Sequence, residues 1–105
     1  MEIILSQEVP VLSRVTSEYT PANGARVVIN KFYADAAFDK NAVVQLVWDE
    51  GGAAEEYIWS IKGSSSMPYI KKIENCNGVR KLKLILDNGL SGALFMSGYV
   101  HLEVF

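Results

Sequence analysis

Met96-Ser97-Gly98-Tyr99-Val100-His101-Leu102-Glu103-Val104 is the stretch that decides the fold class. Val100, Leu102 and Val104 fall on one parity, Tyr99, His101 and Glu103 on the other. A period of two is the mark of a β-strand with one dry face and one wetter face, as in antiparallel sheets. The same pattern stands upstream, where Leu82, Leu84 and Leu86 alternate with Lys81, Lys83 and Ile85. It recurs where Tyr57, Trp59 and Ile61 alternate with Ile58, Ser60 and Lys62. Val43 to Trp48 is a denser apolar run, expected to be a central strand covered on both faces. Arg26 to Tyr33 is strand-like, and Tyr69 to Ile73 is a weaker candidate. Val9, Val11 and Val15 alternate with more polar neighbours, and Pro10 pushes that first strand to a sheet edge because proline has no ladder N–H.

Turn chemistry separates these segments: Pro21-Ala22-Asn23-Gly24, Asp49-Glu50-Gly51-Gly52, Gly63-Ser64-Ser65-Ser66, Asn75-Cys76-Asn77-Gly78 and Asp87-Asn88-Gly89. No segment keeps a helical apolar stripe for three turns. The alanines between Tyr33 and Ala42 allow one helical turn at most. Seven or eight strands at this spacing predict a single all-β domain over residues 1–105, an antiparallel two-sheet sandwich of jelly-roll type.

Composition agrees with one globular core, since half of the 105 residues are apolar and 21% are charged. Ten basic against twelve acidic residues leave a net charge of -2, which provides no global field for nucleic acid or anionic lipid. Apolar runs fall short of a membrane span. Met1 to Val15 has an early acidic residue and no basic leader, so it does not read as a secretory signal, and cytoplasmic synthesis is the expectation. Cys76 is the single cysteine, which rules out an intrachain disulfide.

The candidate chemistries are thin. His101 is the sole histidine and sits mid-strand, with no G-x-S-x-G elbow to suggest a triad, so it reads as a strand-surface side chain. Cys76 falls in a turn, where an accessible but unactivated thiol is expected. Asp35, Asp39 and Asn41 share one connection and are the candidates for a calcium loop, although their order does not match an EF-hand. Asp49, Glu50, Glu55 and Glu56 form a second acidic group, in which Glu55 and Glu56 suit gatekeepers against edge pairing. Lys71-Lys72 and Arg80-Lys81-Lys83 are expected to be solvated. No metal, no cofactor and no catalytic residue is predicted. Trp48, Tyr69 and Tyr33 are the aromatic side chains best placed to stack on a sugar ring, whereas Tyr57 and Trp59 share an inward parity and read as core.

Leu82 to Gly89 and Met96 to Val104 resemble the terminal strands of small jelly-roll-like structural proteins of tailed bacteriophages and prophages. The resemblance implies a non-catalytic virion component (decoration, collar, tail or fibre-associated) that acts by oligomerising. In that reading sheet edges and exposed apolar side chains such as Ile58 and Ile85 make the contacts with further copies or with other structural proteins. Two alternatives stand beside it. One is a carbohydrate-binding module; the other is an intracellular adaptor that takes a peptide strand along the proline-marked first strand or along Gly98 to Phe105. Neither nucleic acid nor membrane is an expected partner.

Overall fold

A computed structural model describes residues 1–35, 42–62, 65–67 and 73–105. Among them the chain forms nine strands: β1 (Glu2–Val9), β2 (Ser13–Tyr19), β3 (Arg26–Asp35), β4 (Ala42–Trp48), β5 (Glu56–Lys62), β6 (Ser65–Met67), β7 (Ile73–Asn75), β8 (Leu82–Asn88) and β9 (Leu94–Val104). The short β6 and β7 both pair with β3 and occupy successive lengths of a single strand position, which reconciles nine strands with eight places. One sheet runs β1-β9-β3-β6/β7 and the other β2-β8-β4-β5, every pairing antiparallel. The chain passes from one sheet to the other at β1/β2, β2/β3, β3/β4, β5/β6, β7/β8 and β8/β9, which is the winding of a jelly roll. No described residue is helical, so no helix here is long and apolar enough to cross a membrane.

The expected parity of the last strands is what closes the sandwich. Met96, Val100 and Leu102 point inward from β9, and Leu82, Leu84 and Leu86 meet them from β8. Phe32 and Ile29 of β3 and Val44, Leu46 and Trp48 of β4 complete the core. Gly98 lies where the sheets come closest: a Cβ there would stand 3.0 Å from Leu84 Cδ1 and 3.1 Å from Val44 Cγ1. At the far end Asn88, fully buried, holds three strand ends together. Its amide nitrogen donates to the carbonyls of Val9, Pro10 and Gly92, and its oxygen accepts the Leu90 N–H. Such a fully engaged side chain lets the chain cross between sheets without stranding carbonyls in the core.

Several expectations need correction. Val9, Val11 and Val15 do not share a strand, because Pro10 begins the turn that separates β1 from β2, each at the edge of its own sheet. Gly98 to Phe105 is no open edge, since β9 lies between β1 and β3. Tyr57 and Trp59 are 49% and 41% exposed instead of buried. A bulge at Ile58 puts Tyr57 opposite Val47, away from the core; Trp59 pairs with the core-facing Leu46, yet β5 is the edge strand of its sheet and the ring stays in contact with solvent. The helical turn predicted between Tyr33 and Ala42 does not include Tyr33 to Asp35, which continue β3, and the remainder of that connection lies outside the described residues.

Candidate functional site

The exposed face of the first sheet carries the largest organised set of apolar and aromatic side chains. Strand register builds it row by row. Ile4 of β1 pairs with Tyr99 of β9, which pairs in turn with Tyr33 of β3. Ile4 is 61% exposed and Tyr33 40%, and the two tyrosine rings lie 5.7 Å apart with a 42° tilt. One row along, Glu2, His101 and Lys31 form a line from one side of the face to the other. On the opposite side of the tyrosine row come Ser6, Ser97 and Asp35, followed by Phe95, which is 63% exposed.

Polar contacts hold these side chains in place. Tyr99 donates its hydroxyl to Glu2 Oε1 at 2.8 Å, and that bond to a carboxylate raises the phenol's pKa. Lys31 Nζ stands 5.2 Å above the Tyr33 ring, and the Asn30 amide nitrogen lies 3.1 Å from His101 Nδ1. Asn30 is the extra residue of a register shift in β3, between the pairs Ile29–Leu102 and Lys31–His101. A flat antiparallel face with anchored tyrosines, an isoleucine and a phenylalanine has the composition of a protein contact surface.

A second constellation sits at the β4–β5 end. The Arg80 guanidinium donates to Asp49 Oδ2 at 2.8 Å and to Glu74 Oε2 at 2.5 Å, with the Trp48 ring 4.8 Å from its carbon. Burial alone would raise the Asp49 pKa, but bonds from Arg80 and the Lys81 N–H, with the Arg80 charge, bring it below its ordinary value. Glu50 behaves alike: burial opposes ionisation, and Arg14 and Lys83 outweigh it. Lys83 also meets Glu18 at 3.3 Å, so these charges interlock over the outer face of the second sheet. Arg80 and Lys83 are therefore not free to present a basic patch. Burial pushes the Cys76 thiol up; the Glu74 and Asp49 charges add to this against Arg80, leaving a protonated, buried sulfur in place of the accessible thiol expected.

A cleft of about 160 Å³ opens between the sheets beside Arg80, with Val27, Ile29, Trp48 and Ile58 among its lining. Trp48 is fully buried, and its indole Nε1 has no hydrogen-bond partner among the described residues. Among the described residues no three His, Cys, Asp or Glu side chains gather as a metal site.

The structure thus redistributes the residues singled out in the sequence. Trp48 is no stacking platform, because it is wholly inside the core. Ile85 is also fully buried: its neighbours across the sheet are Thr16 and Gln45, and the ion pairs of Arg14, Lys83 and Glu18 run over the same face. Ile58 packs against the core. Ile85 is therefore not an exposed contact side chain, while Ile58 is partly buried on the edge strand β5. Tyr33 is exposed as required, and Asp35 is exposed at the end of β3. Tyr69, Asp39 and Asn41 lie outside the described residues. Ile4, Phe95 and Lys31 were missed, although the wet parity that places Tyr99 outward also places Phe95 there. Ile4 has no such signal, because it sits in the apolar run Ile3-Ile4-Leu5.

No family model matches the chain, nor does any curated protein.

Proposed function

We propose that this domain is a non-catalytic assembly module that joins proteins through the outer face of its β1-β9-β3 sheet. The observation that carries the reading is the continuous row Ile4–Tyr99–Tyr33, exposed beside Phe95 and held by Glu2 and Lys31. Tyrosine offers large contact area at small entropic cost, which suits a recognition face. The charged groups elsewhere, Arg14, Asp49, Glu50, Glu74, Arg80 and Lys83, are engaged in ion pairs with one another. A structural component of a bacteriophage particle is the setting that the resemblance of the terminal strands implies, and in such arrays many weak contacts add up. The burial of Trp48 and the tilt between the Tyr33 and Tyr99 rings speak against a flat sugar-stacking platform.

Ile4→Asp is the direct test. Ile4 is mostly exposed, so the variant should fold with an unchanged thermal midpoint. Light scattering after size exclusion, run over a concentration series, is expected to show association of the native protein and its loss in the variant. A native protein that stays monomeric throughout the series would count against self-assembly.

A further inference from the structure

We infer that the occupant of this face is a second copy of the same chain, docked about a two-fold axis that runs parallel to β9. The inference rests on the assembly reading and specifies its symmetry. The register supplies the argument. Because β9 lies centrally between β1 and β3, a rotation of 180° about an axis along β9 lays β1 of one copy over β3 of the other, row upon row. In the first row Glu2 then meets Lys31 of the second copy, and Lys31 meets its Glu2, so opposite charges pair twice. In the next, Ile4 covers Tyr33 of the second copy and Tyr99 meets its own image. Ser6 meets Asp35, which adds hydrogen-bonding capacity, and Phe95 meets Phe95 on the axis. The first three rows therefore face their complements, acid on base, aliphatic on aromatic and hydroxyl on carboxylate, and in the fourth Glu8 flanks Phe95.

The other two-fold arrangement, with its axis across the strands, is less well matched. It would lay Lys31 over Asp35 but Phe95 over Glu103, and it would leave Glu2 facing Ser6. With the axis along β9, Glu103 lies past the end of the three-strand face, since β1 begins at Glu2 opposite His101.

Size sets the strength. Three strands about 4.8 Å apart and about seven residue positions along each, at about 3.4 Å per residue, give a footprint of about 340 Å² per copy. That is under half of the ~800 Å² per partner of a stable specific pair, so the dimer should dissociate on dilution.

Reversing one charge at a time tests the axis. Glu2→Lys places two lysines on each face and Lys31→Glu places two glutamates, so each variant alone is expected to be monomeric where the native chain dimerises. Mixed together, the two variants are complementary in both charge rows and should form a heterodimer. The double variant Glu2→Lys/Lys31→Glu should again pair with itself. Sedimentation velocity at low salt, from micromolar to millimolar concentration, reads all four cases, and Asp35→Lys serves as the control for the transverse axis. A dimer lost in Ile4→Asp but indifferent to Glu2→Lys, or lost in Asp35→Lys with no rescue on mixing, would overturn this axis while leaving the face as the assembly surface. A dimer indifferent to Ile4→Asp and to all the charge reversals would place the contact elsewhere, and a native monomer would overturn both readings.

Discussion

Arg80 ties two separate parts of the chain to one point: the end of β4, with the Trp48 ring and the Asp49 carboxylate that follows it, and Glu74 in β7. Its side chain is only 17% exposed, so its charge is partly desolvated and depends on those carboxylates. Replacing it with methionine keeps much of the apolar stem but leaves the two acids facing each other. The cost for a buried pair that loses one partner is about 3–5 kcal/mol, reduced by solvent access here to about 2 kcal/mol. Arg80→Met should accordingly lower the urea midpoint with no change in slope, and an unchanged midpoint would show that the cluster contributes nothing. Arg80 was legible in the sequence only as a member of a basic stretch. Its partners lie 31 and 6 residues away in sequence, and charge spacing holds no information about which loops will meet.

At the scale of the element, alternation was a sound guide where a strand pairs regularly on both sides and misled where a bulge intervenes. In β8 and β9 parity and burial agree for the leucines and valines that face the core. In β5 the single extra residue at Ile58 turns Tyr57 away from the core, while Trp59, opposite the core-facing Leu46, is exposed at the sheet edge. Ile85 was misread for another reason: it points away from the core, yet the charged side chains bracketing it leave it no contact with water. The meeting of β9 with β8 and β4 at Gly98 can be tested directly. An alanine Cβ there has no room beside Leu84 and Val44, so Gly98→Ala should destabilise by about 1–3 kcal/mol through overpacking. Thermal unfolding reads the shift. If the midpoint did not fall, the sheets would have to be further apart than described.

For the molecule as a whole, the ionic clusters set the response to pH. Asp49 and Glu50 are held below their ordinary values in the folded chain. A group with a depressed folded pKa stabilises fully above its unfolded pKa, near 4 for carboxylates, and that contribution is lost as pH falls through the folded value. Lys83, raised when folded, stabilises below its unfolded pKa of about 10.4 and loses that contribution as pH climbs through the higher folded value. Stability measured by denaturant titration should therefore be flat near neutrality and fall on both the acid and the strongly alkaline side. In the charge-reversal variants Glu2→Lys and Lys31→Glu the fall on the acid side should be the same, because neither residue belongs to those clusters; on the alkaline side Glu2→Lys also removes the bond that raises the Tyr99 pKa. A steep loss already at mildly acidic pH would contradict this account.

By itself the sequence determined the all-β class, the two-sheet sandwich, most strand positions and the inward parity of the last two long strands. Each of those follows from local pattern: a period of two, turn residues at intervals and the absence of a helical stripe. What only the tertiary structure decided is which surfaces stay open. Trp48 reads like a platform until β3 and Arg80 close around it, and Ile4 reads like core until the crossing at Pro10 leaves its side of β1 uncovered. The row Ile4–Tyr99–Tyr33 joins residues from both ends of the chain and from β3, brought side by side because β9 returns between β1 and β3. Exposure is a property of what packs on a residue, and in a jelly roll those neighbours come from distant parts of the chain.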